Sequence, residues 1–252
     1  MEWIIVSLAS LFAGFVDAIV GGGGLVLVPA LFAVYPSAVP ATLLGTNKSG
    51  SIWGTSFAAW KYAKRVQFRW RTLVPAIAAA FVGSMLGAWA LTQISADFLR
   101  KALPFILLAV LVYTLARKDM GQNNQPIANP HKEIALGMLI GLLIGFYDGF
   151  FGPGTGSFLV FAFVRILGFD FLNASANAKL LNIATNFAAL LLLGWKGHIW
   201  WHLAIPLALS NIIGSFLGTA MALRYGSGFV RWMFIAVVTV LIARSAWDGF
   251  FS

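Results

Sequence analysis

Apolar runs about 17–25 residues long, the length a helix needs to cross a bilayer core, recur along the whole chain. Ten apolar segments can be marked. The full-length ones cover 3–20, 41–60, 73–93, 98–116, 134–151, 174–194, 203–223 and 228–250. Two more, 24–35 and 155–168, are too short to cross alone as straight helices, and each directly follows a glycine-rich break. The longest polar stretch, Arg117 to Glu133, contains Gly121-Gln122-Asn123-Asn124-Gln125-Pro126 and divides the chain nearly in half. The first segment, opening at Met1-Glu2-Trp3, lacks a basic n-region and an obvious cleavage site, so it is expected to be a span and not a removed signal peptide.

The midpoint loop invites a search for duplication. Gly14-Phe15-x-Asp17-x-x-x-Gly21-x-Gly23 reappears as Gly145-Phe146-x-Asp148-x-x-x-Gly152-x-Gly154, a shift of 145 − 14 = 131. The same ungapped shift maps Lys48 onto Lys179, Trp70 onto Trp201, Pro75 onto Pro206, Gly83-Ser84 onto Gly214-Ser215, Leu86-Gly87 onto Leu217-Gly218, and Arg100 onto Arg231. Glycine and apolar matches come cheaply in membrane sequences; a matched aspartate, lysine, arginine and proline do not. The expected fold is therefore an all-α integral membrane protein of two internal repeats, 1–116 and 134–252, around a central polar loop at 117–133. Each repeat has four to five transmembrane segments and one glycine-rich broken or re-entrant helix.

If the short segments cross the membrane, each repeat has an odd number of crossings and the halves are inverted; if they re-enter, the halves are parallel. Loop 61–72 carries Lys61, Lys64, Arg65, Arg69 and Arg71 and is expected in the cytoplasm, whereas its counterpart at 195–202 keeps Lys196, His198 and His202. That asymmetry favours the inverted arrangement, although the parallel one also keeps the central loop inside.

Composition sharpens the membrane reading. Of 252 residues, 60% are hydrophobic and 10% charged, against roughly 25% charged in soluble domains. The net charge of +9 would suit a nucleic-acid partner, but much of it lies in loops between spans, as the positive-inside bias requires. With no cysteine, disulfides, thiolate metal sites and cysteine nucleophiles are excluded. No hydrolytic motif is present, so an enzyme is not expected, and neither is a cofactor. His198 and His202 are four apart, but no third ligand is near and Trp200-Trp201 beside them reads as an interfacial aromatic belt, so no metal is expected.

Candidate chemistry concentrates at the breaks. Gly21-Gly22-Gly23-Gly24 inside a helix would cost roughly 1 kcal/mol per glycine relative to alanine and would free backbone groups that lipid cannot satisfy. The second copy, Gly152-Pro153-Gly154-Thr155-Gly156, adds a proline. Both read as discontinuous helices meeting near mid-membrane, where helix N-termini and glycine N–H groups form anion sites. Gly83-x-x-x-Gly87 and Gly214-x-x-x-Gly218 read instead as helix-packing motifs. Neither break continues as a nucleotide-binding loop.

Asp17 and Asp148 precede the breaks, and Lys48 and Lys179 lie inside the third segment of each repeat. Ionisable groups at that depth cost at least roughly 2.5–3.5 kcal/mol on insertion and tend to mark pathways. The lysines can supply charge to an anion and the aspartates can couple a proton; a static Asp–Lys pair, or a snorkelling lysine, is the plainer alternative. Small polar residues flank the lysines: Thr46, Asn47, Ser49 and Ser51 in one copy, and Asn173, Asn177, Asn182, Thr185 and Asn186 in the other. Asn182 and Asn186 stand three and seven residues after Lys179, near one helix face, which either lines a cavity or bonds a partner helix.

The duplicated Gly-Phe-x-Asp-x-x-x-Gly-x-Gly block, Gly45-Thr46-Asn47-Lys48 and Asn177-x-Lys179 resemble the TauE/SafE family of sulfite-exporter-like permeases over almost the whole chain. The resemblance implies passage of a small sulfur-containing anion (sulfite, a sulfonate such as sulfoacetate, or thiosulfate) across the inner membrane. One departure is that the glycine blocks of the two halves differ, so the halves are expected to contribute unequally.

The expected function is secondary transport by alternating access. The anion is bound by Gly21, Gly22, Gly23, Gly24, Asn47, Lys48, Gly152, Gly154, Thr155, Gly156, Lys179, Asn182 and Asn186, with Asp17 or Asp148 coupling a proton. An anion-selective channel and a membrane subunit that transports nothing are the alternatives. The expected partners are the lipid bilayer and the anion; a homo-oligomer stays open.

Overall fold

The structure, a computed structural model, describes residues 2–95, 98–99, 101–102, 105, 109 and 127–250, with 226–250 as backbone alone. Most of the expected segment 98–116, and the central loop from 117 to 126, lie outside the described residues.

Every element described is helical: α1 (Glu2–Val20), α2 (Gly24–Val34), α3 (Pro40–Ala63), α4 (Trp70–Leu91), α5 (Pro130–Phe150), α6 (Thr155–Arg165), α7 (Phe171–Trp195) and α8 (Trp201–Phe250). The expected all-α membrane fold is what the chain adopts. Five helices, α1, α4, α5, α7 and the part of α8 up to Tyr225, are long and apolar enough to cross a bilayer. Trp3, Leu8, Val82, Trp89, Leu143 and Ile213 point outward, while Thr46, Asn47, Lys48, Asp148 and Lys179 are buried. That inside-out arrangement is stable only in hydrocarbon, where an exposed leucine costs nothing and an exposed lysine costs several kcal/mol (roughly 2.5–3.5). α3 is also long enough, at about 36 Å for its 24 residues, but its polar first half is buried on all sides by other helices.

Two sequence expectations change. The segments at 203–223 and 228–250 are one continuous helix, α8. Gly226-Ser227-Gly228 between them lowers helix propensity but removes no backbone donor, so nothing forces a break there. The short segment at 155–168 ends as a helix at Arg165, followed by Gly168 with φ of 75°.

Contacts at the helix ends define two faces. Trp3 lies beside His202 (6.0 Å between ring centroids), Tyr35 beside Trp200 (5.1 Å), and Thr42 Oγ1 is 3.1 Å from His198 Nδ1. The start of α1, the end of α2 and the start of α3 therefore share a face with the α7–α8 loop. On the other face, the Arg69 guanidinium pairs with buried Glu133 at 3.0 Å, Thr72 donates to Glu133, and Ile127 N–H donates to the Leu167 carbonyl. The starts of α4 and α5 and the end of α6 meet there. The hairpin α1–α2 thus enters and leaves by one face and α5–α6 by the opposite face, with their breaks in the middle. The short segments re-enter, and neither limb of such a hairpin is a crossing. Re-entry here therefore goes with hairpins of opposite direction, and not with the parallel halves that counting the long limb as a full span would give.

The long helices interlock through glycines. α1 packs along α8, and α4 along α5. A Cβ on Gly83 or Gly87 would strike the Leu142 or Phe146 carbonyl, and one on Gly214 or Gly218 the Leu11 or Phe15 carbonyl. Each partner in one set stands 131 positions from its counterpart in the other.

The basic face carries Lys61, Lys64, Arg65, Arg69 and Arg71 and should lie in the cytoplasm. An N-terminal reporter is then expected on the periplasmic side and an epitope inserted at 64–69 on the cytoplasmic side. Protease protection in oriented vesicles checks both; the two on one side would contradict the arrangement.

Candidate functional site

The first break begins where α1 stops. Gly21 takes φ of 75°, a left-handed conformation that favours glycine, and its N–H returns to the Asp17 carbonyl at 2.8 Å. The second break needs two such residues, Gly152 (96°) and Gly154 (84°), around Pro153. Tyr147 steadies it by donating its hydroxyl to the Pro153 carbonyl at 2.7 Å, and the Thr155 hydroxyl donates to the Gly152 carbonyl at 2.7 Å.

The two breaks touch. Ser157 N–H donates to the Gly21 carbonyl at 3.2 Å, and its hydroxyl donates to the Val20 carbonyl at 2.8 Å. A Cβ on Gly156 would lie 2.5 Å from Gly21 Cα, and one on Gly24 would lie 3.1 Å from Pro153 Cα. Gly21 is required by this contact as much as by turning, and Gly156, inside α6, by the contact alone.

Lys48 and Lys179 both reach across to the opposite half. Lys48 Nζ lies 2.8 Å from Asp148 Oδ2 and donates to Asn186 Oδ1 at 3.4 Å; lysine and aspartate are each 2% exposed. Lys179 Nζ donates to the main-chain carbonyl of Asp17 at 2.7 Å and lies 5.6 Å from the centre of the Tyr62 ring. The Asp17 carboxylate is occupied differently, accepting from Thr55 Oγ1 at 2.9 Å and from Gly23 N–H at 3.4 Å. The plainer expectation of an Asp–Lys pair thus describes Lys48, while Lys179 bonds backbone. The unequal glycine blocks have a counterpart in this unequal pairing.

Between the breaks, α3 and α7 lies a small polar cavity. Of the residues the sequence singles out, Asp17, Gly21, Gly24, Asn47, Lys48, Asp148, Gly152, Thr155, Gly156, Asn182 and Asn186 line it. Gly22, Gly23 and Gly154 do not; they shape the breaks from behind, Gly22 and Gly23 accepting the first-turn N–H groups of α2. Lys179 stands in an adjoining cavity. Asn47 Oδ1 has no hydrogen-bond partner among the described residues, a buried acceptor that a bound guest can satisfy.

Ser51 and Thr55 also line the cavity. They follow Lys48 by three and seven residues, the spacing at which Asn182 and Asn186 follow Lys179. Ser51 already stands among the polar residues beside Lys48; Thr55 is the addition, and its helical spacing from Lys48 is the signal that marks it.

The arrangement brings two half-helix N-termini, one ammonium and several amides and hydroxyls around one space. Helix N-termini carry about half a positive charge each, set here, with Lys48, against the carboxylates of Asp17 and Asp148. The paired histidines hold other partners: His198 meets Thr42, and His202 packs beside Trp3 and Trp200. Outside the spans, His198 is held below its ordinary pKa, by burial first and by the charge of Lys196 second.

Comparison with known proteins places this architecture. The chain is 34% identical over 240 residues to the probable membrane transporter protein YfcA of Escherichia coli K12, covering 95% of this chain and 88% of that one. It is equally similar, at 34% over 236 residues, to a probable membrane transporter protein of Haemophilus influenzae (94% of this chain, 91% of the relative). A probable membrane transporter protein from a Sinorhizobium species, ORF9, is 34% identical over 240 residues, 94% of this chain and 89% of its own length. No solved structure matches. The family model for the sulfite exporter TauE/SafE matches residues 6–245. With its five apolar helices and these membrane-transporter relatives, this chain is a multi-pass protein of the bacterial inner membrane, a membrane transporter that belongs to the TauE/SafE sulfite exporter family.

Proposed function

We propose that this transporter carries small sulfur-containing anions, such as sulfite, sulfonates or thiosulfate, by alternating movement of two inverted repeats, and that a proton accompanies the anion. The substrate class rests on the family's description as a sulfite exporter. The inverted relation is supported by the hairpins entering from opposite faces and by contacts that recur at an offset of 131 residues.

One observation carries the mechanism: the Lys48–Asp148 pair lies buried against a cavity roofed by two broken helices. An entering anion and the Asp148 carboxylate compete for the same ammonium. Two like charges about 4 Å apart repel by roughly 4 kcal/mol at an effective dielectric of 20. Protonation of Asp148 removes that repulsion and frees Lys48 for the anion. For a monoanion such as hydrogensulfite the loaded site then has the same net charge as the empty one, which lets it move through the membrane field without electrical work; a dianion leaves one negative charge over. The nearly complete burial of Lys48 and Asp148 favours this carrier over an open pore.

Liposomes containing the protein are expected to take up labelled sulfite, sulfoacetate or thiosulfate saturably, with protein-free liposomes as control. Folded protein that moves none of these and no sulfate would overturn the substrate class. Asp148→Asn should flatten the pH dependence of uptake of thiosulfate, an anion that does not itself titrate near neutrality, because the proton acceptor beside Lys48 is gone. Asp17→Asn, whose carboxylate serves Thr55 and Gly23, should retain the pH dependence. A wild-type profile in Asp148→Asn would remove proton coupling at that residue.

A further inference from the structure

The contact between the breaks divides the polar interior into two compartments. Beyond the cavity at Lys48 lies a second, smaller one, lined by Gly21, Gly156, Ser175, Lys179 and Asn182 together with apolar side chains. Gly21, Gly156 and Asn182 line both. The wall between the compartments is therefore the place where the two glycines meet backbone to backbone, with Asn182 standing in both spaces.

The second compartment has the makings of an anion site. Lys179 is 4% exposed and its ammonium has a single hydrogen-bond acceptor among the described residues, the Asp17 carbonyl. That neutral partner leaves the positive charge less compensated than that of Lys48, which faces a carboxylate. Ser175, 3% exposed, has a hydroxyl with no partner among the described residues. Burying an unpaired hydroxyl costs about 1–3 kcal/mol, and an anion's oxygen is an acceptor that would satisfy it. Ser175, Lys179, Asn182 and Asn186 follow one another at four, three and four residues, so they form one stripe along α7. The stripe begins near the start of α7, at the basic face, and ends at the Lys48 cavity.

We infer that Ser175 and Lys179 form a second anion station, on the basic-face side of the Gly21–Gly156 contact, and that the anion passes between it and the Lys48 station along Asn182. This rests on the transport reading above. Each station is reached from its own face, and the touching breaks are the barrier whose opening joins them. An anion leaving Lys48 then meets a second ammonium and a free hydroxyl instead of apolar wall, which lowers the step across the centre of the membrane.

The absence of native cysteine makes the test direct. Ser175→Cys and Ser51→Cys are each made in the full chain, and sealed vesicles of known orientation are treated with membrane-impermeant methanethiosulfonates, one bearing a sulfonate and one a trimethylammonium. Ser175→Cys is expected to react from the basic face and Ser51→Cys from the other. At Ser175→Cys the sulfonate reagent should react several-fold faster than the cationic one, and that preference should disappear in Ser175→Cys/Lys179→Met. Reaction of both cysteines from the same face, reaction of neither, or a charge preference indifferent to Lys179 would overturn the second station. Because labelling needs no flux, the outcomes separate: opposite-face labelling with no anion uptake sinks the transport reading, and uptake with same-face labelling sinks the station alone.

Discussion

Replacing Lys48 with methionine should abolish saturable anion uptake and also destabilise the protein, whereas Lys48→Met/Asp148→Asn should recover the stability and not the uptake. The sequence offers Lys48 as an anion ligand or as half of a static Asp–Lys pair, without saying which aspartate it would meet. The structure gives it a second duty, because its ammonium lies 2.8 Å from a buried carboxylate. Removing one member of such a pair leaves an uncompensated charge and typically costs about 3–5 kcal/mol, a large share of the roughly 5–15 kcal/mol that holds a domain together. The double variant has neither charge and keeps similar volumes, so the penalty vanishes. Transport stays lost because no cation remains to hold the anion. Thermal unfolding followed by size-exclusion chromatography, alongside uptake into liposomes, separates the two roles. Saturable wild-type uptake in Lys48→Met would remove Lys48 from the site; a double variant as unstable as the single one would show that the pair does not set the stability.

The residues legible in the sequence are those that break the rules of their solvent. Glycine runs, aspartates and lysines are costly in hydrocarbon, so Gly21–Gly24, Gly152–Gly156, Asp17, Asp148, Lys48 and Lys179 stand out against an apolar background. An ungapped offset likewise exposes equivalent positions. It says which residues correspond and nothing about which ones touch. The crossing of Lys48 to Asp148 and of Lys179 to the Asp17 carbonyl depends on how the halves interlock. So does the division of the interior into two compartments, which follows from Gly21 meeting Gly156. Thr55 escaped notice for a different reason: a threonine among apolar residues is cheap in a helix, and only its spacing from Lys48 marks it. The continuity of α8 past Tyr225 was illegible because Gly226 and Gly228 weaken a helix without ending it.

The two helix seams make a prediction as large as that for Lys48. Gly87→Val and Gly218→Val should each leave little folded protein, while Gly194→Ala should be neutral or slightly stabilising. At Gly87 a Cβ would meet the Phe146 carbonyl and come within 2.7 Å of Phe150 N; at Gly218 it would meet the Phe15 carbonyl and come within 3.0 Å of Ala18 Cβ. The neighbours are mostly backbone of a packed helix and cannot rotate aside. Accommodation therefore requires the two helices to part along their length, forfeiting the close packing that holds helices together in lipid. Overpacking of a flexible core costs about 1–3 kcal/mol, and a rigid seam should exceed that range. At Gly194 the nearest atom is Ile199 Cδ1 at 3.3 Å, the mobile tip of a side chain. There the gain in helix propensity, up to about 1 kcal/mol, offsets the crowding. Detergent-solubilised yield and melting temperature read all three variants. Gly87 and Gly218 are equivalent under the 131-residue offset, so their variants should fall by similar amounts if an inverted two-fold relates the halves. A protein that tolerates one and not the other would show that the two seams bear unequal loads, and the matched glycines would then be a likeness of sequence without a likeness of mechanics.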